Sequence, residues 1–442
     1  MKLPFISLFL LLSFFSNRAI GQVGDSTKRH TEKIKKGWNF GALPSVAFDS
    51  DLGFQYGVLT NIYNYGDGSS YPKYRHSIYL EWARTTKGTG KNQLLYDSEF
   101  LIPHIRLTAE ASYLTDKALD FYGFNGYNSV YNPDLSNPDS PDYISKMYYR
   151  LERKLTRIKL DFQGNITDKR LRWLIGYTLF NIKIKSVDIA ELNKGRKQSD
   201  LLPDAKLLYD KYIDWGIIPQ DQKNGGTINL LKFGLVYDTR DNEPNPMKGM
   251  WTEALVLTSP SILGNQFTYS KIVINHRQYF TLHKDILNLA FRVSYQDKIG
   301  GKMPFYMLPF IFSSNQIRDG LGGAKTLRGI ARNRVMGEGV VFGNLEMRWK
   351  FFRREMFNQN FYLALAPFID VGRVTRKYDF QTNDPEAVAY LKLGSPEKFH
   401  KSFGLGFYGA MNQNFVAAIN YGMSMDKNDG TNGLYIGLDF LF

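Results

Sequence analysis

Residues 320–339 read GLGGAKTLRGIARNRVMGEG, with four basic residues (Lys325, Arg328, Arg332, Arg334) and one acid among glycines. Such a stretch suits three chemistries: cradling a phosphate, holding nucleic acid, or carrying an arginine to a fixed acidic partner. The phosphate reading lacks its parts, since no Gly-Lys-Ser/Thr follows at the required spacing and no strand-to-helix unit surrounds it. Acids that could serve as partners stand downstream. Glu346 lies in VVFGNLEMRWKF, on one face with Asn344, Arg348 and Lys350 by strand alternation. Asp370, in FIDVGRV, falls on the small, polar face of its own strand. Two carboxylates facing one cavity repel unless a cation lies between them, and a guanidinium fork can bind a carboxylate through two bonds.

Enzyme signatures are missing. The six histidines (His30, His76, His104, His276, His283, His400) are scattered without ligand spacing, and no Gly-x-Ser-x-Gly elbow occurs. We therefore expect no catalytic residues, no metal and no cofactor. Asp238, Thr239, Arg240 and Asp241 read as a structural turn whose side chains cap local backbone amides, with Gly249 where the chain returns to the next strand.

The elements that must position these residues alternate with period 2 over most of the chain. Residues 432–442 set Leu434, Ile436, Leu438, Phe440 and Phe442 against Tyr435, Gly437 and Asp439. One face is large and apolar and the other small, polar or glycine. Aromatics recur near strand ends, as at Trp38, Tyr63, Trp82, Trp173, Trp251 and Trp349. That combination predicts an all-β chain, a transmembrane barrel with lipid outside and a polar lumen. Sixteen strands are expected, near 38–48, 54–65, 75–85, 91–101, 105–115, 148–165, 170–187, 227–238, 248–258, 267–280, 284–297, 339–352, 359–371, 400–411, 414–425 and 432–442. The long connections (116–147, 188–226, 298–338, 372–399) all fall on one side, the layout of a 16-stranded antiparallel barrel of the bacterial outer membrane.

Residues 1–21 read as a cleaved signal peptide, with Lys2, an apolar core at 3–15 and small residues before Gln22. With no cysteine in the chain, a lipoprotein anchor and disulfides are excluded. Residues 22–37 are expected to be a short disordered periplasmic tail and 38–442 a single barrel domain. The formal charge of +14 fits nucleic acid, anionic lipid or solvated loops, but an exported chain argues against nucleic acid.

Three separated motifs resemble the BamA/TamA family of outer-membrane assembly and translocation barrels, the bacterial surface antigen superfamily. They are GLVYDTRDNEPNPMKGMW (234–251), LRGI (327–330) and FIDVGRV (368–374). The resemblance implies that Arg328 on the sixth external loop, beside Gly329, pairs with acids on strands 12 and 13, here Glu346 and Asp370. Ile330 departs from the aromatic residue usual at its position. The resemblance further implies a seam between the first and last strands that opens sideways to a client strand. Pro44, Gly437 and Phe442 fall in that seam, and Pro44 cannot donate to a ladder. Expected partners are outer-membrane lipids (lipopolysaccharide, phospholipid), client outer-membrane proteins, and periplasmic or membrane accessory proteins. The sequence leaves no room for the family's periplasmic POTRA domains, so a form lacking POTRA domains is expected. The function implied is insertion or translocation of polypeptides or lipids; the alternative is a passive pore or scaffold subunit.

Overall fold

The computed structural model describes residues 34–442 apart from Pro72, Lys169, Pro244, Asp285, Phe357, Asn358, Asn412, Gln413, Asn414 and Asp439. The expected signal peptide and most of the expected tail lie outside the described residues.

Strand β1 runs in two segments, Trp38–Pro44 and Ala47–Asp49. After it come β2 (Gly53–Asn64), β3 (His76–Thr85), β4 (Thr89–Ile102), β5 (Ile105–Asp120), β6 (Arg150–Asn165), β7 (Leu171–Ser186) and β8 (Gly225–Asp238). The second half comprises β9 (Gly249–Thr258), β10 (Tyr269–His283), β11 (Leu287–Gly301), β12 (Gly339–Met356), β13 (Gln359–Arg376), β14 (His400–Met411), β15 (Phe415–Ser424) and β16 (Asn432–Leu438). Each strand pairs antiparallel with the next, and β16 pairs back onto β1, closing a 16-stranded barrel. Among the described residues no helix is long and apolar enough to cross a membrane.

Alternation fixes which residues meet the lumen. On β12, Leu345, Met347 and Trp349 are exposed on the outer face, while Glu346 and Arg348 are buried within. On β6, Arg153 and Arg157 point inward and pair with Asp116 and Glu110. Carboxylates and guanidiniums thus cross-link neighbouring strands on a wall that carries no lipid. Trp251, expected in the outer aromatic girdle, is instead only 2% exposed. Strand β9 turns Trp251 inward with Glu253 and Leu255, and the Arg277 guanidinium lies 4.3 Å from the Trp251 ring. Trp38, Trp82 and Trp349 are outward and exposed.

Several strands outrun their sequence-based limits. β12 and β13 each span 18 residues, or roughly 60 Å at about 3.3 Å per residue. Even tilted, that length exceeds the apolar band of about 25 Å, so the strand ends carry polar residues such as Arg353, Arg354 and Arg376. The apolar alternation fades there, although the ladder does not. β16 does the opposite: pairing stops at Leu438, and residues 440–442 turn into the lumen, where all three are buried.

The external loops close over one end. Phe121 meets Tyr209 and Tyr212 edge-on at 5.6 and 5.2 Å, and Phe124 lies 4.9 Å from Tyr378. These rings join lumen-facing Leu155, Phe180 and Ile228 in one apolar cluster, so the outer part of the lumen is packed with side chains.

Candidate functional site

The loop between β11 and β12 dips into the barrel. Its short hairpin, Phe310–Phe312 with Ile317–Asp319, is fastened to the lumen wall. Gln296 exchanges two bonds with the Phe312 backbone (3.0 and 3.1 Å), and Glu253 accepts from the Ser314 amide at 2.9 Å. Further along, Thr326 folds its hydroxyl onto Gly320 and Gly322. Asn344 of β12 holds the Thr326 carbonyl at 2.7 Å. These bonds deliver Arg328 to the middle of the barrel.

Arg328 is 1% exposed, and Glu346 and Asp370 are fully buried. Its Nε and Nη2 donate to the two oxygens of Asp370, both at 2.9 Å, and its backbone amide adds a third bond at 3.0 Å. Nη1 donates to Glu346 at 2.6 Å. The guanidinium also sits 3.4 Å above the Phe368 ring centre, which screens its face from water. One cation thus separates two acids on adjacent strands. Ile330, the departure noted above, is buried beside Leu321, Leu327, Val335 and Phe342, an apolar nest that suits an aliphatic side chain.

Gly329 is left-handed (φ 88°), and a Cβ there would stand 2.5 Å from the backbone of Gly422 on β15. Gly422 in turn leaves room for the Arg328 backbone, 2.7 Å from where its own Cβ would be. The loop tip therefore lies directly on the wall. It also touches the seam strand, because the Gly329 amide donates to the Tyr435 hydroxyl at 3.1 Å. Arg348 extends the network by donating to Glu346 at 2.9 Å and to the Phe442 main-chain oxygen at 2.9 Å. Sequence reasoning placed Arg348 on the lumen face but had no signal for its contact with Phe442. Gly422, Tyr435 and Phe368 were missed altogether, since each acts through a non-local contact.

The other singled-out residues stand apart from this cluster. Arg240 is forked onto Asp238 (2.9 and 2.8 Å), Thr239 exchanges bonds with Met250, and Asp241 accepts from the amides of Met247 and Lys248. Gly249 (φ 93°) lets the returning strand pass Thr239, whose carbonyl would be 2.2 Å from a Cβ. This is a self-capped turn between β8 and β9.

At the seam, Trp38–Pro44 pairs with β2, Pro44 standing opposite Val58. Among the described residues only Phe48 and Asp49, past a break at Ser45 and Val46, meet Ile436 and Tyr435 of β16. Ser50 adds backbone and hydroxyl bonds to Leu434. Gly437 pairs with Ala418 of β15 and has open space where a Cβ would be. Phe442 lies in the lumen, away from the outer wall.

His400 is not idle. Its Nδ1 faces Asp429 at 2.7 Å and its Nε2 faces Glu397 at 3.0 Å, an arrangement in which a doubly protonated ring donates to both acids. Burial pushes the Glu397 carboxyl up, but hydrogen bonds from His400 and from the Tyr127 and Val374 amides hold it below its usual range. The Asp429 backbone carbonyl, between β15 and β16, accepts the Ala331 amide near the loop tip at 2.8 Å.

Comparison with known proteins agrees with this architecture. Residues 82–440 match the family described as the Omp85 superfamily domain. BamA from Haemophilus ducreyi lacking POTRA domains 1-3 is similar in structure, with a TM-score of 0.55 at 15% identity, over 92% of this chain and 71% of that one. CdiB from Escherichia coli is similar with a TM-score of 0.55 at 10% identity, over 93% of this chain and 64% of that one. At these identities the likeness is one of fold. No curated protein matches.

Proposed function

The chain belongs to the Omp85 superfamily, and from that premise we propose that it assists insertion or translocation of polypeptides at the bacterial outer membrane through the β1/β16 seam. The observation that carries this reading is the poverty of that seam. Among the described residues two from each strand pair there, whereas β15 and β16 pair along seven. Among the described residues the Trp38–Pro44 segment pairs on one edge only, and it bears exposed Trp38, Phe40 and Leu43. An edge with unused backbone donors and acceptors can template an added strand.

In this account Arg328, with Glu346 and Asp370, braces the loop inside the barrel, and the Gly329–Tyr435 bond ties the brace to the seam strand. No covalent chemistry is required. Client outer-membrane proteins, the surrounding lipids and accessory proteins are the proposed partners. The alternative of a passive pore fits less well, because the aromatic packing of the external loops fills the outer lumen. A lateral exit does not depend on that end.

Insertion of a radiolabelled small barrel protein into liposomes holding the purified chain, against empty liposomes, tests the reading. Faster, protease-protected insertion is expected. A rate equal to that of empty liposomes would favour the scaffold.

A further inference from the structure

Beside the Arg328 brace the lumen holds more positive charge than its acids neutralise. Arg277 on β10 and Arg292 on β11 are register partners, set opposite each other on the inner face. Like charges so placed repel. Arg318, from the loop hairpin, is close enough to both to add to that repulsion. Among the described residues none of the three has a carboxylate within ion-pair distance. Arg292 donates to Asn344 and to the Lys325 carbonyl, and Arg318 to Gln316, Lys325 and the Leu441 main chain.

Arg277 lies on the Trp251 face with its Nε buried and unpaired. Arg348 Nη1 is likewise buried without a partner. Glu253, the acid on β9, has its oxygens occupied by Asn275 and the Ser314 amide. Those donors are neutral and leave its charge in place, so the guanidiniums of Arg277, Arg292, Arg318, Arg328 and Arg348 share three side-chain carboxylates, Glu253, Glu346 and Asp370. That excess is larger than a single main-chain carboxylate at Phe442 would neutralise. Burying unpaired charge is costly, and an anion held among these guanidiniums would offset that cost.

We propose that Arg277, Arg292, Arg318 and Arg348 form a binding site for an oxyanion, a phosphate or carboxylate group, in the lumen beside residues 440–442. The planar forks of arginine suit that chemistry. Arg277 and Arg318 are only half-buried, which leaves the site open to the lumen. The Phe442 ring, 5.1 Å from Arg292 and 5.2 Å from Arg348, forms one wall. The Leu441 and Phe442 main-chain oxygens already draw Arg318 and Arg348 inward. The proposal stands whether or not the seam opens.

The test is thermal unfolding of the full chain in detergent micelles, in inorganic phosphate against chloride at equal ionic strength. A ligand that binds only the folded state raises the transition. A rise of several degrees is expected in phosphate. In the Arg277→Gln/Arg292→Gln double variant the rise should vanish, whatever that variant's own baseline. A second arm replaces inorganic phosphate with short-chain phosphatidic acid. A rise with the lipid alone would assign the oxyanion to a headgroup, and a rise with both would assign it to a free ion. No rise with either, or one that survives in the double variant, overturns the site.

Discussion

Arg328→Ala is expected to destabilise the folded barrel by about 3–5 kcal/mol, the penalty for leaving buried carboxylates without their cation. Asp370 suffers most. It would keep the residue-328 amide and Asn344 but lose both guanidinium bonds. Glu346 would still have Arg348 at 2.9 Å. Arg328→Lys keeps the charge but cannot reach both acids through a planar fork, so it should recover less than half of the loss. Adding Asp370→Asn to Arg328→Ala should recover part of the loss, since no bare charge then remains. Denaturant midpoints in micelles and protease cleavage within the 302–338 loop measure both effects. A loss below about 1 kcal/mol with the loop still protected would show that the acids do not depend on this arginine.

Gly422→Val reaches the same loop by sterics alone. The new side chain would meet the backbone of Arg328 and Gly329 at under 3 Å, where nothing flexible can yield. Overpacking of this kind costs about 1–3 kcal/mol when the site can adjust. Here the adjustment is expulsion of the loop tip, which also breaks the Arg328 bonds and the Gly329–Tyr435 bond. We expect a loss approaching that of Arg328→Ala, with the same new cleavage in the loop. Gly409→Val, on neighbouring β14 with only Leu363 in reach at 3.7 Å, should be nearly neutral. Equal mild effects at both positions would mean that the loop tip does not press on β15.

The barrel was legible because lipid imposes a period of two that needs no tertiary knowledge. Leu345, Met347 and Trp349 against Glu346 and Arg348 is such a pattern, and it located strand 12. It failed at Trp251, where ring size suggested the girdle but a lumen arginine supplied the partner. It failed again at residues 440–442, whose apolar side chains fit a lipid face equally well until pairing stops at Leu438. The acids and arginine of the site were legible through motif and face. Their supports were not, because Gly422, Tyr435 and Phe368 meet the loop through space. A glycine that leaves room for a distant backbone looks, in sequence, like any other glycine.

A lateral route for insertion requires the β1/β16 seam to open. Phe48→Cys with Ile436→Cys tests it most directly, since the two residues are register partners and the chain has no cysteine of its own. Directly opposed strand residues have Cα separations that a disulfide spans. Liposomes holding the oxidised pair should insert a labelled client no faster than empty liposomes, and reductant should restore the rate. Insertion by the oxidised form at the reduced rate would contradict a lateral route through this seam.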